Sequence, residues 1–181
     1  MSIDQGKYIC AYTDFGFKRL FGSELNKDIL ISFLNSFLNL KDKIVDLSYL
    51  SLEQLVDLVT DREPIFDVYC KTSDDAYIIV EMQNAAQNYF KDRSIFYSSF
   101  AIRNQAPKGV LDYQLKAVYT IGILNFVLEK DSEPYRHEVV LYDKVTNCQF
   151  NANWLTIILN YLNLPKQKMN LKLSKINGCM Q

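Results

Sequence analysis

The chain has 181 residues, enough for one core and short for two. Nearly half of them are apolar, with 12 Tyr and 11 Phe, which excludes a disordered polymer. The 20 basic and 21 acidic residues nearly cancel, so no global field draws the chain to nucleic acid, and any such contact has to come from a local patch.

Residues 1–12 read as a polar lead-in. From Thr13 the run TDFGFKRLFG predicts a short helix, with Thr13 as N-cap and Gly22 as terminator. Ser23 can cap the next helix. Its apolar residues Leu25, Ile29, Phe33 and Phe37 recur every four positions, with Leu30, Leu34 and Leu38 beside them. Residues 44–50 predict a strand, and 51–59 are ambiguous because SLEQ has a capping-box pattern.

Two strands follow, IFDVYCK and AYIIVEMQ, joined by a polar turn at Ser73-Asp74-Asp75. Their period of two puts Phe66, Val68 and Cys70 on one face and Asp67 and Tyr69 on the other. In the second strand, Ile78, Val80 and Met82 oppose Tyr77, Ile79, Glu81 and Gln83. A hairpin centred on Asp74 therefore sets Asp67 opposite Glu81 on one face.

Residues 88–104 read as a helix, closed by Pro107-Lys108-Gly109. Residues 115–124, LKAVYTIGIL, predict a central strand, and HEVVLYD after Pro134 a further one. Tyr89, Tyr97 and Phe100 are expected in the core. No apolar stretch is long enough to span a membrane.

The chemistry concentrates at the hairpin. Two carboxylates about 5 Å apart on paired strands repel each other, and a hard cation relieves that repulsion. Asp67, Glu81 and the carbonyl of Met82 offer oxygens for Mg²⁺, with Mn²⁺ as a substitute, and Gln83 can orient a water. The plainer reading is two exposed acids on an ordinary hairpin. Asp61 and Glu63 are nearby acids of less specific placement, while Asp74 and Asp75 suit a turn. Cys10, Cys70, Cys148 and Cys179 show no CxxC spacing, and His137 is the sole histidine. A structural zinc site and a Ser-His or Cys-His nucleophile system therefore lack material. Scattered thiols suit a reducing cytoplasm.

Several of these runs occur in an order that carries a resemblance. TDFGFKRLFG, then NKDILISFLNSFL, FDVYC, YIIVEMQ, and finally Tyr89-Phe90-Lys91-Asp92-Arg93 with Tyr97 together resemble the Rpn family. These are recombination-promoting nucleases, or transposases, of the PD-(D/E)xK superfamily. The likeness covers roughly residues 12–145. It implies an α/β, restriction-endonuclease-like core, a mixed central sheet flanked by helices. It implies Mg²⁺-dependent cleavage of DNA in recombination, and a homodimer where both strands are cut. Asp67 matches the first motif acid and Glu81 the second. Gln83 stands where the superfamily usually has lysine, and glutamine carries no charge to stabilise a pentavalent phosphate. Asp14 falls where related nucleases often place an accessory acid, or merely favours the helix N-terminus. Lys18 and Arg93 are candidate phosphate contacts, against the plainer reading of solvated helix faces.

The segment from about Asn151 departs from the family pattern: no acid follows Asp143, and lysines crowd the end. The expectation is a nuclease-like domain over 13–150 and an atypical tail over 151–181, truncated or shifted in reading frame near codon 150. An inactive remnant, or a binding module keeping the fold, is the alternative to an endonuclease. Residues 165–181 are expected to be disordered or loosely helical.

Overall fold

The protein is described from a computed structural model covering residues 13–51, 66–86, 88–106, 109, 114–128, 134–160 and 162. The capping-box segment after residue 51, Asp61, Glu63 and the end of the chain at 165–181 lie outside the described residues.

Helix α1 spans Asp14–Phe21, and Thr13 caps it by accepting the Gly16 amide proton at 3.0 Å. Gly22 closes it, donating its backbone N–H to the Lys18 carbonyl. A side chain at position 22 would meet that carbonyl at 2.7 Å, so the close approach favours glycine. Ser23 caps a short 3-10 turn, Glu24–Asn26, and α2 follows over Lys27–Phe37. Leu30, Leu34, Phe37 and Leu38 form the buried stripe, whereas Leu25 is almost fully exposed because it sits in the turn before α2. The stripe is therefore rotated from the Leu25-Ile29-Phe33 line that spacing puts first. Asn35 pins the connection after α2, donating to the Ile44 carbonyl at 2.8 Å and accepting from its amide at 2.9 Å.

Six strands form one sheet: β1 (Leu47–Tyr49), β2 (Val68–Thr72), β3 (Tyr77–Gln83), β4 (Val118–Leu124), β5 (Arg136–Asp143) and β6 (Cys148–Asn160). Their order is β1-β2-β3-β4-β6-β5. The β3–β4 and β4–β6 pairs are parallel and the others antiparallel, so the sheet is mixed. Helix α3 (Phe90–Arg103) connects β3 towards β4. On one face α1 and α2 bury Phe17, Leu30 and Leu34 against Val68, Val80 and Ile121. On the other, α3 buries Tyr97, Phe100 and Ala101 against Tyr69, Ile79 and Val118. This α/β architecture is the restriction-endonuclease-like arrangement expected from the resemblance. No helix among the described residues is long and apolar enough to cross a membrane.

Two aromatic placements differ from expectation. Phe66 packs on the α3 face with Tyr69 and Tyr97, at 6.1 and 4.8 Å between ring centroids, not with Val68. It precedes β2, and the chain bends at Asp67, so strict alternation stops there. Tyr89 is 74 % exposed: it occupies the left-handed region, φ 66°, just before α3, and its side chain leaves the core.

The boundary at residue 150, drawn from the departure from the family pattern, falls inside β6. Residues 148–153 form an exposed arm with β5, while Trp154 and Thr156 to Asn160 are buried beside β4. The strand changes from a solvated hairpin to a sheet interior along its own length. Its first half, CQFNAN, is solvated although it is continuous with the core.

Candidate active site

The hairpin brings the two acids together. Val68 pairs with Val80 and Lys71 with Tyr77, which is symmetric about Asp74. Asp75 takes φ 65° in the turn, and the Asp75 and Ala76 amides close it on Thr72. Asp67 lies just before β2, where the chain bends and this register stops, so the two acids meet beside the Glu81 end of β3 without being strict register partners. There the Asp67 amide donates to the Val80 carbonyl at 3.1 Å. The Asp67 carboxylate in turn accepts the Met82 amide proton at 2.6 Å. In a strand the N–H and C=O of one residue leave on the same side. The Met82 carbonyl therefore faces Asp67 too, although the Met82 side chain is buried among the α1–α2 core.

Each acid meets a cation from a different helical layer. Lys18 of α1 lies 3.4 Å from the Asp67 carboxylate. Arg93 of α3 forms an ion pair with Glu81, donates to the Gln83 side-chain carbonyl at 3.4 Å and to the Tyr97 hydroxyl at 3.2 Å, and stacks over the Tyr97 ring. The structure thus brings Asp67, Glu81, Met82, Gln83, Lys18 and Arg93 to one end of β3. Asp14 opens α1, and its side chain lies outside what is described. Tyr97 is the participant the sequence reading assigned only to packing. Its signal was the i,i+4 spacing from Arg93 on one helix.

Gly122 helps to set Arg93. It pairs with Glu81 across β3–β4, and a Cβ there would come within 2.5 Å of the Phe90 ring. Its bare backbone lets Phe90 seat the first turn of α3, which carries Arg93 three residues on.

Both carboxylates are sheltered, with side chains 9 % exposed. Burial pushes the Glu81 carboxyl up from its ordinary 4.5 to about 7; Arg93 draws it back down, and the neighbouring Asp67 charge raises it further. The raised direction stands despite the close guanidinium, because desolvation outweighs one partially exposed counter-ion. Between those values the folded protein holds a proton that the unfolded chain releases. This contribution to stability is present in full below 4.5 and is lost as pH rises through 7. It amounts to about 3 kcal/mol. Urea unfolding at a series of pH values should show wild type losing stability relative to Glu81→Gln between pH 5 and 8. Parallel profiles would contradict the buried, proton-holding carboxyl.

The donor set fits a hard divalent cation: two converging carboxylates and one backbone carbonyl, all oxygens, in a place where their mutual repulsion is already visible in Glu81. Among the described residues no cluster of three or more His, Cys, Asp or Glu side chains suits a metal. Mg²⁺ tolerates this sparse set, since it retains several waters and fills its shell with substrate phosphate oxygens.

A family model, described as PD-(D/E)XK nuclease family transposase, matches residues 11–179, which includes the lysine-rich end of the chain. No curated protein and no solved structure matches. The matched span takes in the sheet, both helical layers and the acid pair, and the chain belongs to the PD-(D/E)XK nuclease family transposases.

Proposed function

We propose that this protein is a divalent-metal-dependent DNA endonuclease that hydrolyses phosphodiester bonds in recombination or transposition. The observation that carries the reading is the Asp67 carboxylate bound to the Met82 amide at 2.6 Å, which clamps the two acid-bearing strands at the point where Glu81 emerges. Asp67, Glu81 and the Met82 carbonyl would hold Mg²⁺, or Mn²⁺ in its place. When bound, the ion supplies Lewis-acid polarisation of the phosphodiester and acidifies a water.

The remaining roles belong to the chain. Gln83 lies beside the acids, where its amide can hydrogen-bond an attacking water but cannot supply positive charge. Arg93, touching both Gln83 and Glu81, supplies that charge from α3 instead. Lys18 and Arg93 neutralise the acids while no other cation does so. Once the acids are otherwise neutralised, both are available to backbone phosphates. Asp14 serves as an accessory acid. The thiols of Cys70 and Cys148 are unpaired, which suits a cytoplasmic setting.

One feature favours a second reading, a non-catalytic DNA-binding member of the family: Lys18 and Arg93 already balance the two acids without a metal. Titration with Mg²⁺ or Mn²⁺ separates the two. A bound ion stabilises the fold by about 2.7 kcal/mol at a hundred times its dissociation constant. The endonuclease reading expects that upward shift in melting temperature, together with nicking of supercoiled plasmid that a chelator stops. A flat melting temperature and intact plasmid at millimolar Mg²⁺ and Mn²⁺ would sink it in favour of the binding module.

A further inference from the structure

Charge alone does not hold Arg93. One guanidinium nitrogen bonds both Glu81 and the Tyr97 hydroxyl, and the second donates to the Gln83 side-chain carbonyl. The guanidinium carbon lies 5.4 Å from the centroid of the Tyr97 ring. Glu81 is the charged partner in this set, whereas Gln83 and Tyr97 are neutral. The two neutral contacts do not depend on the charge of Glu81. They are still on offer when another cation takes that carboxylate.

Tyr97 is itself fixed. It is buried, and Phe66 meets its ring edge-on, with centroids 4.8 Å apart and planes at 87°. Tyr69 packs against Phe66 in turn, at 6.1 Å. Edge-to-face contact holds the orientation of a ring as well as burying it. Phenylalanine would meet the packing requirement at position 97. The hydroxyl is the added group, and a buried hydroxyl needs a partner, which Arg93 supplies at 3.2 Å.

The brace and one of the acids are consecutive in the chain. Phe66 reaches the α3 face because the chain bends at Asp67, and Asp67 at that bend accepts the Met82 amide proton. One bend therefore sets both the first acid and the support for the cation that attends the second.

We propose that Tyr97, braced by Phe66, is a positioning residue: it keeps the Arg93 guanidinium aimed at a backbone phosphate of DNA when Glu81 no longer pairs with it. The proposal rests on the role of Arg93 as a phosphate contact. An arginine released from its carboxylate spreads over many rotamers and loses that freedom on binding. Ring stacking and a second acceptor hold the planar fork in advance, with its remaining N–H groups free to approach phosphate oxygens. A lysine ammonium could not span Gln83 and Tyr97 in this way.

Glu81→Gln reproduces the released state without a metal, because it removes the charge that competes for Arg93. In that full-length background, binding of a short fluorescent DNA duplex is followed by polarisation in a chelator over a range of salt concentrations. Each phosphate contact adds about 0.9 to the slope of log affinity against log salt. Adding Arg93→Ala should lower the slope by about that amount. Adding Tyr97→Leu should lower it equally, although no charge is removed, and the two together should lower it no further. Tyr97→Phe keeps the core and the ring, and should weaken binding about fivefold, with no added loss beside Arg93→Ala.

A Tyr97→Leu protein that melts lower but keeps the full salt slope is altered in its core only, and overturns the proposal. So does a Tyr97→Phe loss that persists beside Arg93→Ala, and this second comparison decides alone if Tyr97→Leu does not fold. A slope unmoved by Arg93→Ala, or no DNA binding at all, removes the phosphate contact and the proposal with it. Nicking assays on the Asp67 and Glu81 variants judge the metal site separately.

Discussion

Asp67→Ala is expected to lower divalent-dependent plasmid nicking by at least about a hundredfold, and Glu81→Ala by a similar factor. The reason is geometric as well as electrostatic. Without the Asp67 carboxylate the Met82 amide loses the acceptor that clamps it at 2.6 Å, and Glu81 remains as a single acid against Arg93. One sheltered carboxylate already neutralised by a guanidinium has little attraction left for Mg²⁺. Asp67→Asn and Glu81→Gln separate charge from shape, since both keep the side-chain volume and a carbonyl oxygen while removing an ionised ligand. They should fold and should still lose both nicking and the metal-induced rise in melting temperature. Nicking that survives both acid substitutions would place the chemistry elsewhere in the chain.

Trp154→Ala is expected to destabilise the protein by about 3–5 kcal/mol, the range for removing a buried large aromatic. That corresponds to a melting temperature lower by roughly 10–15 °C for a domain of this size. Trp154 is buried where β6 meets β4 opposite Val118, and its indole N–H donates to the Ser98 hydroxyl of α3 at 3.0 Å. The substitution thus opens a cavity under α3 and leaves the hydroxyl one partner short. Trp154→Phe keeps most of the ring volume and loses the hydrogen bond, so a smaller loss of about 1 kcal/mol is expected. The pair measures how firmly residues beyond 150 are built into the domain. A melting temperature unmoved by Trp154→Ala would mean that β6 contributes nothing to the core.

These two experiments fall on opposite sides of what could be read without coordinates. The acid pair, the Asp74-centred hairpin, the Thr13 cap, the Gly22 stop and the central strand within 115–124 were all legible. Each depends on interactions within a few residues, or on a period of two repeated over a short run. Even the approach of Asp67 to Glu81 is largely local, because one tight turn joins the two runs that carry them. The errors also have local causes. Phe66 and Tyr89 lie at a bend and a left-handed cap, where alternation and helical spacing both lapse. The boundary near 150 was drawn from charge composition, which does not register that the start of β6 pairs with β5 and its end with β4.

By itself, then, the sequence determined the chemistry available at the end of β3: two carboxylates, a backbone carbonyl between strands, and a glutamine where charge is missing. Only the tertiary structure decided which cations attend them. Lys18 and Arg93 lie 75 residues apart, on helices of opposite layers, and no periodicity relates them. They converge because α1 and α3 cover the two faces of one sheet and the Asp67 bend lies at its open end. The same packing shelters Glu81 and raises its proton affinity, and it draws residues 154–160 into the sheet beside β4. Burial is a property of everything that surrounds a residue, and it emerges only when distant segments close on one another.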